Sequence, residues 1–328
     1  MNQPAVSEVA TRLRDREIRF ANGAVGRTID IASANPVNYF QAISQPGAMT
    51  QVTIDGKLFL PPGAAGKLPL VIVVPGSLGV SESHLRHTET LASNGFASFI
   101  LDPFGARGVT STVSNQTLFS FTASAWDVVC AVKRLAQLPE IDADRIGVQG
   151  HSRGGTAVLN AAARRFNGGG LAIRSVLAAY PWSGHQFLDP DVGTTEIHSI
   201  IGDRDDWVSP QQVQGHMQAI RLRGGKASWR IVGGVSHSFD RGAPMARVDN
   251  ASVSPGAPTA YIADDGGFIH PLDGKPDSAL VDRDLAVYAL KAGYGVKGAT
   301  IGGTADSARL FTEEMLSFFK RTLRGQGN

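Results

Sequence analysis

Six short apolar runs recur along this chain: "LPLVIVVPG", "FASFILD", "RIGVQG", "SVLAAY", "EIHSIIG" and "SWRIVGG". Helix-compatible segments such as "HLRHTETLASNG" and "SAWDVVCAVKRLAQL" separate them. Runs this apolar suit strands covered on both faces, and parallel neighbours need a crossover of the length those helices supply. The alternation predicts an α/β domain: a doubly wound, mainly parallel sheet with helices on both faces. "QVTIDGKLFLPPG" adds a strand or hairpin that its prolines end.

The rhythm fails at two places. Residues 1–50 are polar, and "ASANPVNYFQAISQPGAMT" is rich in turn formers, so they read as an N-terminal arm before a domain over 51–328. From about 241 to 303 the chain is rich in Gly, Pro and Asp, before the amphipathic "SARLFTEEMLSFFKRTL" closes the domain. That irregular stretch is either a lid over a site or a long surface excursion.

Several function classes drop out on composition. The formal net charge is +2 and the basic residues are scattered, which excludes the concentrated footprint of a nucleic-acid binder. No run approaches the ~18 apolar residues of a membrane span, and the N-terminus lacks the basic and apolar pattern of a secretory signal. A lone cysteine, Cys130 in the helical "WDVVCAV", rules out an internal disulfide framework or a multi-cysteine zinc site and reads as buried and inert. The expectation is a soluble cytoplasmic protein with no membrane, nucleic-acid, metal or cofactor partner.

"RIGVQGHSRGGTAVLN" carries the chemistry. A G-x-S-x-G match alone is weak, since roughly 0.3 are expected by chance in such a chain. Here a predicted strand precedes it and a helix follows, the setting a nucleophile elbow requires. A sharp turn there lifts the Ser152 hydroxyl above the sheet edge, and the following helix start aims the Arg153 amide at an oxyanion beside it. Serine needs a base and an orienting acid, in the chain order Ser, acid, His, on loops after strands. "EIHSIIGDRDDWVSP" offers Asp205 at the loop centre, with Asp203 nearer the strand and Asp206 nearer the helix as alternatives. "SWRIVGGVSHSFD" offers His237 as the base.

Other histidines fit less well: His84 and His87, spaced i, i+3, read as surface residues, and His151 merely flanks the serine. The loop in "VIVVPGSLGV" should supply the second oxyanion amide, from Ser77 or next from Leu78. Tyr180 and Trp182 in "LAAYPWSGH" are candidates for the substrate pocket or for packing. Arg107 in "DPFGARGV" is placed to reach a substrate carboxylate or an internal aspartate, and internal pairing is the commoner fate of such an arginine.

Taken in order, "LFLPPG", "VIVVPGSLGV", "LASNGFASFILDPFGARGV", "IDADRIGVQGHSRGG", "IGDRDDWVSP" and "GGVSHSFD" resemble the successive segments of the dienelactone hydrolase family of α/β-hydrolases, across residues 51–240 and the final helix. The resemblance implies a Ser152, His237, Asp205 triad, oxyanion amides at Ser77 and Arg153, and a small-molecule ester or lactone substrate. Members acting on dienelactone itself carry a cysteine nucleophile, so the serine here points to another substrate. Acyl transfer or amide cleavage would use the same triad. A binding protein on a hydrolase scaffold is the non-enzymatic alternative.

Overall fold

A computed structural model of the chain describes residues 12–270 and 272–324. Its strands are β1 (Arg27–Asn35), β2 (Thr50–Phe59), β3 (Leu68–Val74), β4 (Ala97–Asp102), β5 (Ile141–His151), β6 (Ser175–Ala179), β7 (His185–Phe187), β8 (Glu196–Gly202), β9 (Lys226–Val232), β10 (Ala246–Val253), β11 (Ala260–Ile262), β12 (Phe268–Ile269), β13 (Pro276–Asp277) and β14 (Val296–Ile301). The helices are α1 (Tyr39–Ser44), α2 (Glu82–Ser93), α3 (Phe121–Leu135), α4 (Arg153–Ala162), α5 (Arg164–Asn167), α6 (Pro210–Leu222), α7 (Asp282–Lys291) and α8 (Ala305–Arg324).

The central sheet has eight strands in the order β1-β2-β4-β3-β5-β6-β8-β9. Every pair from β4 to β9 is parallel, and all six apolar runs became strands of this part. Alternation across β3 explains why the run is continuous. Leu70, Ile72 and Val74 join the core shared with α3 and α4, while Val71 and Val73 join the opposite core with Leu91 of α2 and Phe311, Met315 and Phe319 of α8. With helices on both faces, β3 has no solvent side, and its residues after Leu68 are all buried.

Two boundaries differ from the sequence reading. Residues 27–35 are not part of an arm: β1 pairs antiparallel with β2 along its whole length and forms one edge of the sheet. Only one face of an edge strand needs cover, so "RTIDIASAN" buries alternate residues and lacks an apolar run. The stretch 241–303 is folded as well. β10 pairs with β14, β11 lies parallel to β7 in a small sheet with β12 and β13, and α7 stands between. These strands are short and locally unpatterned, which is why periodicity did not reveal them.

Candidate active site

Glycine makes the turn after β5. Ser152 takes φ 55° and ψ −117°, a conformation that costs an L-residue strain and is held by neighbours on both sides. A Cβ on Gly150 would lie 2.1 Å from the Gly154 carbonyl oxygen, and one on Gly154 would lie 2.4 Å from that of Val74. Those are backbone atoms and cannot give way, so strand, turn and helix approach this closely only with glycine at both positions. The Ser152 amide donates to the Ala179 carbonyl of β6 at 2.9 Å, fixing the turn against the sheet.

Ser152 Oγ lies 2.8 Å from His237 Nε2, and His237 Nδ1 lies 2.8 Å from Asp205 Oδ2. All three residues are buried. The Trp207 and Val208 amides both donate to Asp205 Oδ1 at 3.0 Å, which leaves Oδ2 for the imidazole. The other aspartates of the loop are engaged elsewhere. Asp203 accepts from the Gly234 amide, and Asp206 accepts from the amide and hydroxyl of Thr300 on β14. The Trp207 ring stacks on His237 at 5.1 Å and Tyr180 meets it edgewise at 4.7 Å, so the imidazole plane has little freedom.

Ser77 and Arg153 line the same cavity as Ser152, and among the described residues neither backbone amide donates to a protein acceptor. Free amides flanking a serine at a helix start can receive a negative oxygen. The Arg153 side chain does something different. Its guanidinium lies between the Phe119 and Phe121 rings and donates to Ser124 Oγ and to the Gln116 and Phe119 carbonyls. It thereby ties the loop before α3 over the helix start. Burial lowers its pKa to about 10, so it remains charged at neutral pH.

Of the four residues proposed as pocket lining, only Trp182 lines the cavity. Leu78 points to solvent at 44 % exposure, because Gly79 turns the chain away just after Ser77. Arg107 does not face substrate: it pairs with buried Asp127 at 2.7 Å and bonds Asn35 of β1. Tyr180 is buried beneath His237 in a polar network.

That network was not foreseen. Tyr180 donates to Asp240 Oδ1 at 2.6 Å, His87 Nε2 reaches Asp240 Oδ2 at 2.7 Å, His151 Nδ1 reaches the Tyr180 hydroxyl at 2.8 Å, and Gln149 Nε2 reaches His151 Nε2 at 2.9 Å. With Asp240 ionised, every contact receives one proton: Gln149 to His151, His151 to Tyr180, Tyr180 and His87 to Asp240. Burial opposes the Asp240 charge, but the hydrogen bonds from His87 and Tyr180 outweigh that and hold the carboxyl well below the usual range. Burial pushes the His151 pKa down to about 3, keeping it neutral. His87, His151 and Asp240 stand close enough to suggest metal ligands, yet the two imidazoles are parallel within 11° and aim their in-plane lone pairs along separate planes.

His84 and His87 are thus buried, not at the surface. The clue was present: positions 84, 87, 88 and 91 form one helical stripe, and Leu91 belongs to the core.

The cavity above Ser152 measures about 1090 Å³. Phe121, Trp182 and Trp207 line it, together with residues of the 252–297 stretch. His185 and Asp282 also contribute, and their Nδ1 and Oδ1 atoms have no hydrogen-bond partner among the described residues. Burial raises the Asp282 pKa to about 6 and lowers that of His185 to about 3.

The sequence pattern of the dienelactone hydrolase family matches residues 54–255. A probable 2-oxo-3-(5-oxofuran-2-ylidene)propanoate lactonase from Bradyrhizobium sp is 25 % identical over 195 residues, 54 % of this chain and 76 % of the relative. Among solved structures, m3DLH superposes with a TM-score of 0.53 at 17 % identity, covering 81 % of this chain and 95 % of that one. Esterase Est22 does so with a TM-score of 0.50 at 17 % identity, covering 66 % and 73 %. No helix among the described residues is long and apolar enough to cross a membrane.

Proposed function

Since the chain belongs to the dienelactone hydrolase family, which acts on ester and lactone bonds, we propose that it is a serine hydrolase working through an acyl-enzyme. The observation that carries this reading is the unbroken contact from Ser152 through His237 to Asp205, at 2.8 Å and 2.8 Å. Asp205 accepts the Nδ1 proton, so the Nε2 lone pair faces the serine hydroxyl and takes its proton as Oγ attacks the carbonyl carbon. Negative charge then builds on the carbonyl oxygen, and the Ser77 and Arg153 amides donate to it. His237 returns the proton to the departing alkoxide, and water repeats the sequence to free the acid. No step calls on a metal or cofactor.

Ser152→Ala tests the assignment. Ester turnover should fall by at least about 10³-fold and labelling by a fluorophosphonate should vanish, while the far-UV spectrum stays unchanged. A folded variant that keeps a tenth of the activity would remove Ser152 as nucleophile.

A further inference from the structure

Much of the cavity's wall comes from outside the segment that the family pattern matches. That pattern ends at residue 255, and Tyr261, Ile269, Leu285, Val287, Leu290 and Val296 lie beyond it. Of α7 only Asp282 and Ala289 are buried. Leu290 is 65 % exposed and Val287 is 40 % exposed, yet both line the cavity. Apolar side chains left uncovered around one opening mark a surface that awaits an apolar occupant. The helix is anchored at its start, where Asp282 Oδ2 accepts from the Phe121 amide at 2.6 Å, and where Asn38 holds the preceding Ser278 and Leu280 carbonyls.

Charge narrows the occupant further. A substrate bearing a carboxylate would need a free cation near the serine. Arg153 lines the cavity, but its guanidinium is engaged with Ser124, Gln116 and Phe119, and Arg107 is paired with Asp127. The remaining lysine and arginine of the wall, Lys297 and Arg283, are exposed, where solvent and salt screen them. The buried ionisable oxygen left without a partner in that wall, Asp282 Oδ1, belongs to an acid and repels an anion.

We propose that the substrate is an uncharged ester with a bulky apolar acyl group, which lies in the cavity against Phe121, Trp182 and the apolar residues of α7 and β14. This deepens the hydrolase reading and rests on it. A volume of about 1090 Å³ sits at the top of the ~300–1,000 Å³ span of ordinary ligand pockets, far more than an acetyl ester fills. Burying one methylene is worth up to about fourfold in kcat/KM, the equivalent of ~0.8 kcal/mol.

The test compares p-nitrophenyl acetate, butyrate and octanoate with a carboxylate-bearing lactone. The octanoyl ester is expected to exceed the acetyl ester in kcat/KM by at least about tenfold, and the carboxylated lactone to be the poorest. In V287S/L290S, where both changes fall on exposed side chains, the octanoyl-to-acetyl ratio should drop at least about threefold. Preference for acetate, preference for the carboxylated lactone, or a ratio unmoved by V287S/L290S each overturns the proposal and leaves the hydrolase reading intact. Failure to cleave any ester or lactone overturns that reading instead. Binding to S152A, followed by fluorescence of Trp182 and Trp207, then decides the cavity separately: tighter octanoyl than acetyl binding supports it, and equal binding refutes it.

Discussion

Tyr180→Phe isolates a single hydroxyl behind the proposed triad. The phenyl ring stays, so its edge contact with His237 at 4.7 Å and its packing on Phe239 at 5.8 Å are retained, and no cavity opens. What disappears is the proton donated to Asp240 and the oxygen that accepts from His151. Hydrogen bonds to a charged group contribute about 1.5–3 kcal/mol, and a buried donor left without a partner costs about 1–3 kcal/mol. Asp240 and His151 are both buried, so water cannot step in for the lost oxygen. The expected loss is about 3 kcal/mol in urea unfolding, with an unchanged m-value. If Tyr180 were only a packing residue, Tyr180→Phe would stay within about 0.5 kcal/mol. Asp240→Asn completes a double-mutant cycle, in which the two changes should couple by about 1–3 kcal/mol because they share one contact. A loss below about 1 kcal/mol, or strict additivity with Asp240→Asn, would refute the proton assignment given to this network.

Asp205→Asn should reduce kcat by about 10⁴-fold by presenting the wrong tautomer of His237, whereas Asp203→Asn should stay within about threefold, since Asp203 accepts only from Gly234. Steady-state kinetics on one chromogenic ester separates the two, and equal effects would dissolve the choice of acid. Asp282 gives a pH-dependent signature. Its pKa rises on folding from 3.8 to about 6, so the folded state holds the proton more tightly and stability declines as pH rises from about 4 through 6. The decline is on the order of 3 kcal/mol and flat above that window. Asp282→Asn should remove this decline from the variant, so that the stability difference between wild type and variant changes by that amount between about pH 4 and 6, and parallel curves across pH 4–7 would contradict the assigned cause.

Much of this protein was legible in the sequence because the relevant rules are local. A strand buried on both faces must be apolar throughout, so the parallel strands announced themselves, and a tight strand-to-helix turn must carry glycine at 150 and 154. The chain order of serine, acid and histidine follows from where successive loops emerge at the sheet edge. The edge strand β1 escaped because an antiparallel edge needs one covered face only. The histidines of α2 escaped because an imidazole is polar as a letter but sits in a buried stripe once it has a partner, Ser81 for His84 and Asp240 for His87.

The tertiary structure alone decided which partner each charged group has. Within "GDRDDW" only the central place in the loop favours Asp205; contacts with Gly234 and Thr300, distant in the chain, are what engage the other two. Arg107 is withdrawn from any substrate by Asp127, and Tyr180 by Asp240, across 20 and 60 residues. The same holds for the cavity, whose lining is gathered from segments between Ser77 and Lys297. Periodicity and steric exclusion act within a few residues and leave their mark on the sequence itself, whereas pairing and enclosure are selected by the packed fold from many chemically equal candidates.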